Sequence, residues 1–168
     1  IMRRASRSVP QRRYRTEDTR EFEAPRANQR VSNLAAWNAY AVAAVGYATN
    51  DLDNIRWGIA EAEKVLATVD RSGALPTELS RRSKALRYHL FSIGPLSAVE
   101  IIGLKSRTPL THTASCNLRR LVMFSLKQTQ NSHDIAQRTR ASQDFSLASQ
   151  DSSKVLAGVD LWTIANHE

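Results

Sequence analysis

The sequence predicts an all-α protein, and two observations support this fold class. Between residues 52 and 66, apolar residues recur at spacings of three and four, which is the period of an amphipathic helix. Helix-ending and helix-capping residues separate such stretches, as at Asn50 and Asp51. No strand-like alternation of apolar and polar residues competes with this pattern. Short connections between successive helices then indicate antiparallel hairpins.

Each expected helix has a pattern of its own. The helices cover, in chain order, residues 34–48, about 51–69, 77–93, 95–103, 116–130, a short stretch after Ser132 as N-cap, and about 154–166. The first is rich in alanine and apolar nearly all round, which predicts burial on several sides. Gly94-Pro95 should separate the third helix from the fourth, because proline lacks the N–H that a helix interior needs.

The positive charge is distributed unevenly. The 168-residue chain has 24 Lys and Arg against 16 Asp and Glu, a formal charge of +8. Residues 1–30 hold nine arginines and four acidic residues. Such a segment could bind nucleic acid or an acidic polymer, or it could be a disordered arm without a partner. Its few apolar and aromatic residues favour the second interpretation, so nucleic acid is not an expected partner. We therefore distinguish an arginine-rich segment, 1–30, from a helical domain, 31–168.

Several kinds of site and location are disfavoured by composition. The single cysteine, Cys116, excludes an intrachain disulfide and a cysteine-only metal site. His112, His133 and His167 are isolated and lack metal-ligand spacing, so neither a metal nor an organic cofactor is expected. No apolar run is long enough to span a bilayer, and no apolar segment follows the arginine-rich start as in a signal peptide. A membrane is therefore not an expected partner.

Arg81 and Tyr88 are the first candidates for chemistry. Seven residues of α-helix turn the chain through about 700°, so on a single helix both side chains would project from the same face, about 10.5 Å apart along the axis. A permanently charged carboxylate binder and a phenolic proton carrier could together act on an acidic sugar. Many helices carry such a pair as a surface arginine and a packing tyrosine, so geometry alone leaves both interpretations open.

Longer motifs around this pair indicate a family. The strongest are LAAWNAYAVAAV at 34–45 and GALPTELSRRSKALRYH at 73–89, followed by Pro95-Leu96; LRRLVMFSL and the QDFS…SSK…W run are weaker. Over residues 31–168 the chain resembles the alginate lyases of polysaccharide lyase family five, the poly(mannuronate) lyases. The resemblance implies a partial α/α toroid of stacked hairpins, cleavage of an anionic polysaccharide by β-elimination, and a periplasmic or secreted location.

The resemblance also implies roles for single residues. Arg81 corresponds to the arginine that neutralises the substrate carboxylate, and Tyr88 to the tyrosine that protonates the leaving oxygen. The family's Asn-Asn-His-Ser motif, aligned on the AAW of the first helix, corresponds here to Gln29-Arg30-Val31-Ser32. Val31 thus replaces the histidine base, Arg30 replaces a carboxylate-binding asparagine, and Ser32 is retained. The alternative is therefore a non-catalytic binder of acidic polysaccharide, or an inactive lyase remnant.

Other residues could contact the substrate. Trp37 could stack on a sugar ring, as could Trp57, although tryptophans on apolar helix faces are more often in the core. Lys84 could extend a basic cleft or be a solvated lysine, and His89 belongs to the motif but is more simply a packing residue. Because the resemblance covers only the C-terminal half of a family member, apolar helix faces should be uncovered and self-association is expected.

Overall fold

The structure, a computed structural model, describes residues 32–145 and 157–163. Its helices are, in chain order, α1 (Asn33–Thr49), α2 (Leu52–Leu66), α3 (Pro76–Leu79), α4 (Ala85–Lys105), α5 (His112–Gln130), α6 (His133–Thr139) and α7 (157–163). A short 3₁₀ turn, Arg82–Lys84, lies between α3 and α4. These residues form no strand, so the all-α prediction is confirmed. The arrangement is compatible with a partial toroid, which stays a prediction.

Helix α4 is the centre of the packing. It contacts α1, α2, α3, α5 and α6, and its side chains Leu86, Leu90, Ile93 and Leu96 are at most 1% exposed. Full burial of one such side chain contributes about 1.5–3 kcal/mol. The position of α4 is therefore well determined, and so is that of any residue in its first turn. In the part of the chain that the structure describes, no helix has the length and apolar character needed to cross a membrane.

Helices α1 and α2 approach closely because small residues form their contact. The buried face of α1 carries Ala36, Ala39, Ala43 and Gly46. A Cβ on Gly58 of α2 would lie 2.6 Å from the Ala39 carbonyl oxygen and 2.7 Å from the Ala43 Cβ. Glycine is therefore required at this crossing.

Two expectations about burial differ from the structure. The face of α1 opposite α2 is not covered: Leu34 is 49% exposed and Val45 is 57% exposed. Trp57 was expected in the core, but it lies on the outer face of α2 and is 47% exposed. The apolar pattern of a helix shows that its residues can be buried, whereas which faces are covered depends on the elements that pack against them.

Most helix boundaries are confirmed. Asn50 ends α1 in the left-handed conformation, and Asp51 caps α2 by accepting two main-chain hydrogen bonds. Ser132 is the N-cap residue of α6. Helix α5 begins earlier than expected, at His112, because Thr111 caps it through its side chain.

The prediction that Gly94-Pro95 ends a helix is wrong. Helix α4 continues through Pro95 to Lys105. Pro95 is buried, so apolar contact of its ring offsets the missing hydrogen bond. Helix α7 crosses α4 at Gly94, where a Cβ on Gly158 would clash with the Gly94 main-chain nitrogen. Gly158 thus permits a close approach of the helices, whereas a Cβ on Gly94 would lie 3.6 Å from the Gly158 Cα, an ordinary contact distance.

The chain instead breaks within the predicted third helix, 77–93. Helix α3 ends at Leu79 and α4 begins only at Ala85. Between them Arg82 adopts φ 56°, a left-handed conformation that a right-handed helix cannot contain. Neither glycine nor proline lies at the break, so composition gives no local signal for it.

His89 is part of the packing inside α4. It is 0% exposed, and its Nε2 accepts the main-chain N–H of Leu75 at 2.9 Å. The ring proton is therefore on Nδ1, which donates to the Ala85 carbonyl oxygen at 2.7 Å. Burial lowers the pKa of His89 to about 4. With both nitrogens bonded to the main chain and no exposed surface, this ring is not available to a substrate.

His89 should make the protein sensitive to mild acid. Its folded pKa of about 4 lies below the ordinary 6.5, so the unfolded chain takes up a proton first and the free energy of unfolding should fall as the pH drops from 6.5 toward 4. The loss from this group should approach about 3 kcal/mol. Urea unfolding between pH 7 and pH 4 measures it.

The control variants are His89→Gln, which cannot titrate but retains an acceptor and a donor, and His133→Gln, which alters an exposed histidine. The His89→Gln curve should be flatter than that of the wild type over this range, and the His133→Gln curve should match the wild type. An equal pH slope in His89→Gln and the wild type would contradict the assignment.

Candidate active site

Arg81 and Tyr88 meet although they do not share a helix. The Arg81 Cζ lies 4.6 Å from the centroid of the Tyr88 ring, within the range of a cation–π contact. Arg81 precedes the 3₁₀ turn, whereas Tyr88 lies in the first turn of α4. The expectation of a single helix face was therefore wrong in its geometry. The chain breaks at Arg82 between the two residues, and the guanidinium lies over the ring across that break.

A buried carboxylate fixes the position of Arg81. Glu78 is 0% exposed, and its Oε2 accepts a hydrogen bond from Arg81 Nε at 3.3 Å. Its Oε1 accepts the main-chain N–H of Asn33 at 2.8 Å, at the N-terminus of α1, where the helix dipole favours a negative charge. Burial raises the pKa of Glu78, while the bonds from Asn33 and Arg81 act in the opposite direction. One side chain thus joins the arginine to the start of α1.

The arginine retains an accessible edge. Glu78 takes the Nε–H, and 38% of the Arg81 side chain is exposed. The two terminal nitrogens of a guanidinium form a planar fork that matches a carboxylate. A ligand carboxylate could therefore bind Arg81 from solvent without displacing Glu78.

The start of α1 belongs to the same neighbourhood. Ser32 is the N-cap residue of α1 and is 3% exposed. It directly precedes Asn33, whose main-chain N–H donates to Glu78. Arg30 and Val31 lie outside the described residues.

Trp37 and Lys84 differ in their surroundings. Trp37 is half-buried and packs between α1 and α4, 5.1 Å from Phe91 and 6.0 Å from Tyr40 between ring centroids. Phe91 is 41% exposed and lies three residues after Tyr88, so aromatic surface continues along α4 from the tyrosine. Lys84 is exposed and is the N-cap residue of α4.

A separate surface depression contains none of these residues. It has a volume of about 500 Å³ and is lined by Asp70, Arg71, Ser72, Asp134 and Arg138. Arg138 donates to Asp70 and to the Ser72 hydroxyl, both at 2.6 Å. Burial acts to raise the pKa of Asp70, but the bonds from Ser72 and Arg138 outweigh it and lower that pKa to about 2. Of the two arginines that line the depression, Arg138 is therefore already paired with a carboxylate.

Over residues 32–145 and 157–163, no cluster of three or more His, Cys, Asp or Glu side chains could hold a metal ion. Cys116 is exposed, and its sulfur lies 3.8 Å from the nearer ring nitrogen of His112. This pair is on α5, and neither residue contacts Arg81 or Tyr88.

Two residues around the site were missed in the sequence. Glu78 lies three residues before Arg81, a spacing that allows an ion pair on a helix, so a signal was present. Gln143 is the other: it lies 61 residues after Arg82 in the chain, and its Nε2 donates to the Arg82 carbonyl oxygen at 3.1 Å. No local pattern could have indicated that contact.

Replacing Glu78 by Gln removes the charge of this side chain but keeps an oxygen that can accept hydrogen bonds. The pKa of Glu78 is higher in the folded protein than in the unfolded chain. The contribution of this side chain to the free energy of unfolding is therefore most favourable below its ordinary pKa, where it is protonated, and is lost as the pH rises through the folded pKa. Glu78→Gln should therefore gain stability relative to the wild type with rising pH. Urea unfolding at pH 4 and pH 7 measures the difference.

Glu61→Gln is the matched control, because Glu61 pairs with Lys64 at the same spacing of three on the surface of α2. It should change stability by less than about 0.5 kcal/mol at either pH. If the wild type instead gained stability over Glu78→Gln as the pH rose, Glu78 would not be the desolvated carboxylate described above.

The sequence is similar to a family model and to several known proteins. The alginate lyase family model matches residues 11–135. The chain is 34% identical over 110 residues to an alginate lyase of Azotobacter vinelandii, covering 66% of this chain and 29% of that protein. It is 27% identical over 117 residues to one from Pseudomonas aeruginosa, covering 70% and 32%. A Pseudomonas fluorescens alginate lyase is 33% identical over 93 residues, covering 55% and 25%.

Two facts qualify the extent of this similarity. The chain spans about three tenths of the length of the curated relatives it matches. The matched range begins at residue 11, inside the arginine-rich segment, so a domain boundary at residue 30 stays a prediction. Because the family model covers most of the sequence, the chain belongs to the alginate lyase family.

Proposed function

We propose that this chain binds a polymer of uronic acids, such as polymannuronate, at Arg81 and cleaves it by β-elimination. The observation that carries the proposal is the Arg81 guanidinium, which a buried carboxylate holds over the Tyr88 ring. The names of the relatives, alginate lyases, support the same substrate class.

Arg81 would neutralise the substrate carboxylate. In a uronate-cleaving elimination, a base removes the proton at C5, beside the carboxylate, and negative charge develops on that group. A preorganised cation there stabilises the transition state more than the ground state. Arg81 stays charged, and the Glu78 contact limits the positions that it can adopt.

Tyr88 would supply a proton to the leaving group. As the C5–H bond breaks, a double bond forms between C4 and C5, the C4–O bond breaks, and the glycosidic oxygen takes up a proton. A phenol beside the bound carboxylate is suited to donate that proton. The cation–π contact keeps the tyrosine ring and the arginine in one place, so carboxylate binding and proton donation would occur on the same sugar.

The base is the incomplete part of this proposal. By the resemblance, Val31 stands where the family has its histidine base, and a valine side chain cannot accept a proton. Loss of a positioned base typically lowers the rate by a factor of about 10²–10⁴. A binder that retains Arg81 but turns over slowly or not at all is therefore the second candidate. Arg30, in place of the motif's asparagine, would add a further carboxylate contact.

Neighbouring residues would extend the binding surface. Trp37 and the aromatic surface near it would contact the next sugar along α4, and the exposed Lys84 would attract the anionic chain. Because such polymers are extracellular, we propose a periplasmic or secreted location for the protein. No role for nucleic acid is proposed, and the arginine-rich segment that could bind it lies outside the described residues.

Turnover is tested with polymannuronate by following the ultraviolet absorbance of the unsaturated uronate product. We expect slow product formation that Val31→His accelerates, because histidine restores a base. Tyr88→Phe should lower the rate by a factor of about 10²–10⁴, since it removes the proton donor. Arg81→Lys should weaken binding, since lysine lacks the planar fork.

Matched controls are Tyr47→Phe, an exposed tyrosine on α1, and Arg56→Lys, an exposed arginine on α2. Neither should change the rate. Product from Tyr88→Phe at the wild-type rate would contradict its role. Absence of product with retained, Arg81-dependent binding of polymannuronate would support the non-catalytic candidate.

We also propose that two copies associate through the uncovered face of α1. Leu34, Ala41, Val45 and Ala48 lie on that face at spacings of seven, four and three residues, and all four are exposed. Helix α1 contains no charged residue, so two copies of this face would meet without like-charge repulsion although the chain carries a net positive charge. An antiparallel pairing of two α1 helices would bury Leu34 and Val45 of each copy.

Sedimentation velocity over a range of concentrations tests this pairing. The wild type should show a concentration-dependent dimer, and Val45→Glu should be monomeric because it would bury an unpaired charge. Met123→Glu, at an exposed apolar position on α5, should leave the dimer intact. A wild type that stays monomeric at every concentration, or a dimer that Met123→Glu abolishes, would contradict the assigned face.

A further inference from the structure

We propose that Gln143 is a positioning residue for the Arg81–Tyr88 pair, because it holds the turn that brings the two side chains together. The proposal depends on the proposed function only for its kinetic readout. Gln143 lies beyond residue 135, where the family match ends, and it follows α6 in the chain.

Gln143 bonds both sides of the break between α3 and α4. Its Oε1 accepts the main-chain N–H of Leu86 at 2.9 Å, and its Nε2 donates to the Arg82 carbonyl oxygen at 3.1 Å. Arg82 is the residue with φ 56°, so one amide group contacts both the strained residue and the first turn of α4.

The two bonded groups need a partner from elsewhere in the chain. The first N–H groups of a helix have no acceptor within it, and Lys84, the N-cap residue of α4, provides no side-chain cap. The left-handed conformation of Arg82 is unfavourable for a residue with a Cβ and persists only where the surroundings enforce it. Gln143 supplies the missing cap and fixes the strained peptide.

The glutamine is itself anchored. Its Nε2 lies 3.1 Å from the Thr139 hydroxyl and 3.0 Å from the Ala141 carbonyl oxygen, so its two hydrogens are shared among three acceptors. The next residue, Asp144, donates its main-chain N–H to the Ser83 carbonyl oxygen at 2.8 Å. Several hydrogen bonds therefore hold segment 139–144 together and join it to the turn.

Arg81 and Tyr88 lie on either side of the turn that Gln143 contacts. Arg81 directly precedes Arg82, and Tyr88 lies two residues after Leu86. If the turn relaxed, the bond from Arg81 Nε–H to Glu78 would open more often, and the direction of α4 relative to that arginine would no longer be fixed. Loss of the Gln143 contacts should thus disturb both the Arg81–Glu78 bond and the position of Arg81 relative to Tyr88.

The experiment compares Gln143→Ala and Gln143→Glu with the wild type by hydrogen exchange in NMR spectra. In Gln143→Ala the Leu86 amide should exchange at least about tenfold faster, because it loses its hydrogen-bond acceptor. The Arg81 Nε–H should exchange faster as well, because its bond to Glu78 opens more often when the turn is no longer held. In Gln143→Glu the Leu86 amide should stay protected, since a carboxylate still accepts its N–H. The Arg81 Nε–H should again exchange faster, since a carboxylate cannot donate to Arg82.

Gln137→Ala, an exposed glutamine on α6, is the matched control and should leave both signals unchanged. With polymannuronate, Gln143→Ala should lower kcat at least about tenfold with little change in KM, because the bound carboxylate and the proton donor are misaligned. Wild-type exchange of both signals in Gln143→Ala would overturn the proposal. If Gln143→Ala does not fold, wild-type exchange of the Arg81 Nε–H in Gln143→Glu would overturn it. If the wild type forms no product, the proposed cleavage is contradicted. The hydrogen-exchange rates alone then test the role of Gln143.

Discussion

The site depends on one buried carboxylate. Glu78 has no contact with water, and a charge in that position must be paired, since an unpaired buried ion would cost several kcal/mol. Its partners come from two directions: the Arg81 guanidinium, three residues away, and the Asn33 N–H, 45 residues away. Satisfying this one side chain therefore requires α3, the turn after it and the start of α1 to lie together. The position of Arg81 follows from that requirement.

The two helices that carry the site share a structural feature. Helices α2 and α5 are capped locally by the side chains of Asp51 and Thr111. In contrast, the N-cap residues of α1 and α4 provide no side-chain cap, and these helices accept one from elsewhere in the chain, Glu78 and Gln143 respectively. The caps of α2 and α5 are thus local, whereas those of α1 and α4 depend on contacts between distant parts of the chain. The order of the site and the integrity of the fold are therefore coupled.

The sequence predicted what depends on local pattern. Helical periodicity and caps such as Asp51 located most helices, and the motif around Arg81 and Tyr88 selected two side chains that do meet. The break at Arg82 could not be predicted, because neither glycine nor proline lies there and the Gln143 amide that bonds Arg82 is 61 residues further on. The prediction at Pro95 failed for a different reason. Proline tends to end a helix through a local effect, but the tertiary packing of α4 overrides that tendency.

The central claim is that Arg81, placed beside Tyr88 by Glu78, binds the carboxylate of a uronic acid. An NMR titration of the chain with a mannuronate trisaccharide, compared with its carboxyl-reduced neutral counterpart, tests this claim most directly. We predict saturable shifts of the Arg81 Nε–H and of the Tyr88 ring signals with the acidic trisaccharide and none with the neutral one. Equal shifts with both sugars, or shifts confined to the depression around Arg138, would contradict the claim.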